Sequence, residues 1–151
     1  MKREIDRIGK QIERTYSGEA WHGPSITEVL DGVDAEAAAA RPIPGAHSIQ
    51  DLVSHIVAWQ EETVRRIEGN GRDLPVEEDW PREIGWEELL ERLRRSHEAL
   101  SKAAASIEEE ALDTKVKGRR ESYYVLLHGI IHHNLYHAGQ IAILKKGLEA
   151  R

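Results

Sequence analysis

The chain contains no cysteine. That absence removes disulfides, thiolate metal sites and a cysteine nucleophile together, so any bound metal must be held by His, Asp or Glu. A basic excess is missing too. Lys and Arg number 21 against 27 Asp and Glu, a formal charge of −6 with a pI near 5.8. General nucleic-acid binding needs a basic face, so no nucleic-acid partner is expected. No run approaches the roughly 18 apolar residues of a membrane span, and no membrane partner is expected. The opening Met1-Lys2-Arg3-Glu4-Ile5-Asp6 has no apolar stretch and does not read as a signal peptide, which fits a cytoplasmic location. Strand-period alternation, internal repeats and low-complexity tracts are also lacking. What remains is 151 residues, 40% hydrophobic and 32% charged. That describes one helix-rich domain over 1–151, long enough for one hydrophobic core.

Helical spacing organises the chain. Residues 2–17 carry Ile5, Ile8, Ile12 and Tyr16 on one stripe, with Gly18 as a stop. Ser25-Ile26-Thr27-Glu28 is a capping box for a short helix to about Gly32. Asp34 can cap another turn, Ala35 to Ala40, ended by Arg41-Pro42. Ser48 is an N-cap with Asp51 in the first turn. A long helix follows to about Glu68, its stripe being Ile49, Leu52, Val53, Ile56, Val64 and Ile67. Residues 69–85, rich in glycine and proline, read as an irregular connection. The next helix, about Trp86 to Ser106, places Trp86, Leu89, Leu90, Leu93, Leu100, Ala103 and Ala104 at helical spacing. Ser106-Ile107-Glu108-Glu109 suggests one further capped turn. The last helix, about Ser122 to Lys146, ends in Lys145-Lys146-Gly147, cations followed by glycine. Four long helices imply an all-α four-helix bundle with short helical pieces between the first and second. The last helix is apolar around most of its circumference. Val125, Tyr136 and Ile143 form a second stripe, to be buried by another subunit or covered by the interhelical pieces.

Eight histidines stand out against this background. His47 sits in a loop and reads as exposed. His97, between Leu93 and Leu100, reads as a hydrogen-bonded core histidine. The last helix offers two i,i+4 pairs, His128 with His132 and His133 with His137, on different faces. His133 and His137 share a face with Leu126, Ile130, Gln140 and Leu144, at the edge of the main apolar stripe. That edge is where a side chain points into a bundle. The other pair lies toward the second stripe. A third ligand must come from another helix, and His55 has the matching position beside its own stripe. Asp51, one turn away, is either a hydrogen-bond partner that sets the His55 tautomer or only a partner of the helix N-terminus. Three neutral imidazoles from two helices would leave a coordination position open, the pattern of a catalytic zinc or nickel site. The competing reading is three separately packed histidines.

These residues carry a family resemblance. Gly45-Ala46-His47-Ser48-Ile49-Gln50-Asp51-Leu52-Val53-Ser54-His55-Ile56-Val57-Ala58-Trp59 resembles the second-helix signature of the DinB-like (DinB/YfiT) superfamily. His133-Asn134-Leu135-Tyr136-His137-Ala138-Gly139-Gln140-Ile141 is similar to its last-helix His-x-x-x-His-x-Gly-Gln signature. Trp21-His22-Gly23-Pro24-Ser25 and Arg41-Pro42-Ile43-Pro44 resemble one branch. The resemblance implies an up-down-down-up four-helix bundle, often a homodimer. It also implies a divalent ion, usually Zn2+ or Ni2+, on one histidine of the second helix and two of the last, here His55, His133 and His137. Ala138 stands where many members have arginine, which removes a cation from near the site.

The resemblance leaves the reaction open, because fold and metal do not fix chemistry. Relatives include thiol-dependent S-transferases, a mycothiol-dependent isomerase, proteins called metal-dependent hydrolases and damage-inducible proteins. The first expectation is a transferase whose metal activates a small-molecule thiol toward an electrophilic substrate. The second is hydrolysis by metal-activated water. A His-Glu-x-x-His peptidase uses its glutamate as base, but that position is Asn134 here. Glu62 could substitute, although it reads better as a solvated helix carboxylate. The third is a non-catalytic metal-binding stress-response module. Trp21, His22, Trp59 and Tyr136 are candidates for a pocket lining near the ion.

Overall fold

The computed structural model describes residues 3–81 and 84–149. Four long helices form the body: α1 (Glu4–Tyr16), α4 (Ile49–Ile67), α6 (Trp86–Ala105) and α7 (Tyr123–Glu149). Between the first two lie α2 (Ile26–Leu30) and α3 (Ala35–Ala39). The short α5 (Val76–Asp79) precedes α6, and a 3-10 turn (Glu109–Ala111) follows it. Among the described residues the only β pairing is an isolated bridge between Lys115 and Ser122. No helix of the described residues is long and apolar enough to cross a membrane.

The starts follow the local chemistry. At α2 the Ser25 N–H donates to Glu28 Oε2 at 2.7 Å, one half of a capping box. At α3 the Ala37 N–H donates to Asp34 Oδ1 at 2.8 Å. At α4 Ser48 and Asp51 exchange both bonds of a capping box. These contacts satisfy amide groups that a helix N-terminus otherwise leaves unpaired.

Cross-links between helices fix their directions. Gln50 reaches the Ile84 carbonyl, Glu61 pairs with Arg92, and Gln60 accepts from Ser96, so α4 and α6 run parallel. Glu13 meets His97 and Ser101, while Glu109 caps the amides of Glu4 and Ile5, so α1 runs antiparallel to α6. His55 meets His133 and Arg66 meets Glu121, so α7 runs antiparallel to α4. The bundle is therefore up-down-down-up, with α4 packed between α6 and α7 and α1 closing the ring.

Two apolar clusters fill it. One joins α2, α3, the first half of α4, the start of α6 and the end of α7, around Ile26, Ile49, Ile56, Leu89 and Ile141. The other joins α1, the end of α6 and the first half of α7, around Ile8, Leu100, Leu127 and Ile131. Between them the long helices contribute buried polar residues: His55 and Gln60 on α4, Ser96 and His97 on α6, Asn134 and His137 on α7. His97 is a satisfied core histidine, stacked on Tyr16 at 3.9 Å and 3.2 Å from Glu13 Oε2.

Several boundaries differ from those the sequence suggests. The expected start of the first helix at Lys2 lies outside the described residues. The last helix does not end at Gly147 but continues to Glu149. Leu148 packs on the core and Gly147 lies against Pro42, which holds the extra turn in place. Ser106 does not start a new turn. It closes α6, its hydroxyl donating back to the Ala103 carbonyl, and the turn begins at Glu109. The connection 69–85 is not wholly irregular, because Pro75 and the acidic residues after it start α5.

Candidate metal centre

His55, His133 and His137 are brought together at the inner edge of the α4–α7 contact. Their ring centroids are 4.9, 4.8 and 4.6 Å apart, pair by pair. One nitrogen from each lies within 4.8 Å of the others, close enough for the three to hold a metal ion. His55 and His137 are buried and His133 is partly exposed, so the cluster opens on the His133 side.

Each ring has its second nitrogen tied to an oxygen. His55 Nδ1 lies 2.7 Å from the Asp79 carbonyl and 3.1 Å from Asp79 Oδ1. His133 Nδ1 lies 3.3 Å from Asn134 Oδ1, and His137 Nδ1 lies 2.6 Å from Gln140 Oε1. An acceptor at Nδ1 fixes the proton there and leaves Nε2 as a lone pair. The two Nε2 atoms of His55 and His133 then face each other at 3.0 Å. Two imidazole nitrogens on one ion stand about 3 to 3.4 Å apart, given metal–nitrogen bonds of about 2.0–2.1 Å. The donor set and its spacing fit a divalent ion.

Electrostatics favours neutral, ligating rings. Burial, together with the neighbouring His137 and His55, pushes the His133 pKa down to about 4. His137 is lowered in the same direction, chiefly by burial. Neutral imidazole is the form that binds metal.

An aromatic wall backs the cluster. Trp80 stacks on His55 at 3.9 Å, and His47 stacks on the other face of Trp80 at 3.7 Å. Trp59 Nε1 donates to Asp79 Oδ1 at 2.7 Å. Asp79 therefore locks His55 and Trp59 at once. On the His133 side a cleft of about 320 Å³ runs between α4 and α7, past Trp59 and Thr63 to Arg66 and Glu121.

The other residues expected near the site divide sharply. Gln140 holds His137, and Trp59 lines the cleft. Tyr136 touches the His137 ring at 5.1 Å from the outside, being 67% exposed. Asp51 does not hold His55. It caps α4 and pairs with Arg41 at 2.5 Å; burial opposes its ionisation, and the Ser48 amide with Arg41 outweighs that, so its pKa lies below the usual carboxylate value. Trp21 and His22 are exposed, Trp21 completely, and neither touches the cluster. They sit in the α1–α2 connection, whose apolar anchor is the buried Ile26. Glu62 is not a solvated carboxylate. It is fully buried and accepts from Arg65, Arg66 and the Arg72 amide. His128 and His132 lie apart from the triad, their rings 6.1 Å from one another.

Asp79 and Trp80 were missed as site residues. Their only local signal is Pro75 followed by Glu77-Glu78-Asp79, the acidic start of a short helix. Nothing local says that this helix docks on His55.

A bundle with three convergent imidazoles on two neighbouring helices defines a class: all-α proteins with a histidine cluster able to hold a metal ion. The chain belongs to the DinB superfamily, whose model matches residues 21–141. No curated protein and no solved structure matches it.

Proposed function

We propose that this protein is a metal-dependent enzyme that transfers a small-molecule thiol onto a small electrophile, with Zn2+ or Ni2+ held by His55, His133 and His137. One observation carries the reading. The Nε2 atoms of His55 and His133 lie 3.0 Å apart, with a third ring alongside and each Nδ1 already beside an oxygen. Nitrogens at that spacing, with the ring protons held on Nδ1, can share one metal ion. Three protein ligands leave room on the ion, as in catalytic sites.

Held by His55, His133 and His137, a divalent ion would supply Lewis acidity, under which a cosubstrate thiol would give its proton to solvent. The sulfur would form a bond to the electrophilic carbon as the leaving group departed with its bonding pair. The chain has no cysteine, so the sulfur comes from the cosubstrate. Hydrolysis is less well supported. Asn134 cannot act as a general base, and Glu62 is buried under three donors. A homodimer through the later half of the exposed α7 face, where Tyr136 and Ile143 are 67% and 63% exposed, completes the proposal and leaves Val125 to the cleft.

Metal analysis of purified protein should find about one ion per chain, lost in His133→Ala and kept in His128→Ala. A panel of low-molecular-weight thiols with a model electrophile should show metal-dependent transfer, whereas ester and amide panels should show none. Loss of the ion in His128→Ala with retention in His133→Ala overturns the triad. Transfer that survives complete metal removal overturns the mechanism.

A further inference from the structure

We infer that the cleft between α4 and α7 is the seat of an uncharged, apolar substrate, and that Gly129 sets how large that substrate can be. The identity of the reaction rests on the proposal above; the occupancy of the cleft does not.

The cleft is continuous with the His133 edge of the triad, so a molecule seated in it lies beside any ion held there. Its volume, about 320 Å³, is at the small end of ligand pockets, which run from about 300 to 1,000 Å³. Its walls are the Trp59 ring, Leu126 and Ile130, with Thr63 between them. The Thr63 hydroxyl already donates to the Trp59 carbonyl at 2.7 Å, so it offers the ligand no free proton.

The far end is charged but balanced. Arg66 lies over the Trp59 ring, its guanidinium carbon 5.2 Å from the centroid. Its Nε donates to Glu62 at 3.1 Å and its Nη1 lies 3.6 Å from Glu121. Arg65 donates to the same Glu62 at 2.9 Å. Two guanidinium groups and two carboxylates cancel. A charged ligand would give up its own hydration to enter a lining whose charges already balance, with no unmatched counter-charge to receive it. An uncharged apolar body displaces only water.

Gly129 forms part of the wall in the middle of α7. A mid-helix glycine weakens the helix relative to alanine. Its backbone does not need one, for its φ is not positive. Its packing does not need one either, since a Cβ there would meet nothing within 4 Å. What glycine leaves is open space in the cleft. The rival occupant is the α7 helix of a second copy, because Gly129 lies on the same helix face as the exposed Val125 and Tyr136.

The test is calorimetric titration of 2-naphthamide and its charged isostere 2-naphthoate into wild type, Gly129→Ala and Gly129→Leu. Metal-loaded and chelator-treated protein are both used, with metal content, circular dichroism and mass in solution measured on each. In metal-free wild type the amide should bind at least tenfold tighter than the carboxylate. Its affinity should fall at Gly129→Ala and be lost at Gly129→Leu, with the helical signal and the metal content of the loaded protein unchanged. Equal or tighter binding of 2-naphthoate to metal-free protein overturns the uncharged assignment. A Gly129→Leu chain that keeps its affinity for 2-naphthamide overturns the role of Gly129, and does so most plainly if its mass in solution changes. Loss of 2-naphthamide binding at Gly129→Leu in a chain that takes up no metal leaves the cleft standing and removes the metal reading alone.

Discussion

His133 is held as a neutral imidazole in a place where protonation is costly, and that has a measurable consequence. In an unfolded chain the ring titrates near 6.5; in the folded chain its pKa is pushed down to about 4. Above pH 6.5 neither state carries the proton. Between 6.5 and about 4 the unfolded chain takes it up and the folded chain does not, so stability falls as pH falls. For the metal-free protein that loss is on the order of 3 kcal/mol from this one group. Urea unfolding at pH 7.5 and 4.5 should show a steeper loss in wild type than in His133→Leu, and equal slopes would refute the assignment. Asp79 acts on the same site through His55 and Trp59. Replacing such an orienting partner typically weakens metal binding about 10- to 100-fold. Asp79→Ala should fall at the low end, because the Asp79 carbonyl still accepts from His55. Competition with a chromogenic chelator measures it. The clustering of His55, His133 and His137 was legible because two lie one turn apart and the family motifs link them to the third; spacing alone left separately packed rings open. Asp79 was not, since its partner is 24 residues away and no periodicity links them.

Elements set the limits of that legibility. Caps at Ser25, Asp34 and Ser48 were readable because each acts within three residues. The end of α7 was not, because Leu148 and Pro42, distant in sequence, decide it. The connection after α4 is the clearest case. Gly71 lies so close to Arg66 that a Cβ would stand 2.4 Å from its Cγ and 2.9 Å from its Cα. That approach delivers the Arg72 amide to Glu62. Gly71→Ala must push the loop away, and destabilisation of about 1–3 kcal/mol is expected. Glu62→Gln removes the charge on which Arg65, Arg66 and the loop converge, and should cost about 2–4 kcal/mol. Denaturant midpoints check both, and a change under 0.5 kcal/mol, about the scatter of surface substitutions, would count against this account of the loop.

At the scale of the molecule, the site lies in a polar layer between two apolar clusters, on the facing edges of antiparallel α4 and α7. An ion there ties two helices together and stabilises the folded state by mass action, about 2.7 kcal/mol when free metal is a hundredfold above its dissociation constant. For a chain of this length that corresponds to roughly 5–10 °C in Tm. Differential scanning calorimetry with and without Zn2+ should show it, and should show none in His137→Ala. The four-helix architecture was readable from apolar spacing, and the order of the helices from the family signatures.

The parallel pair α4 and α6 has a mechanical consequence. The chain leaving α4 must travel back along it before α6 can start, and its anchors step along that helix: Arg72 at Glu62, Asp79 at His55, Ile84 at Gln50. From Arg72 to Ile84 it uses as many residues as α4 does from Gln50 to Glu62. A helix rises about 1.5 Å per residue and an extended chain covers about 3.3 Å. The return strap thus holds about twice the chain its route requires. It is a slack tether pinned at three points, and the middle pin is Asp79, whose carbonyl and carboxylate both meet His55 Nδ1. Tension along the strap cannot position Asp79, so lengthening the strap by one residue near Asp73 should leave the ring's aim intact.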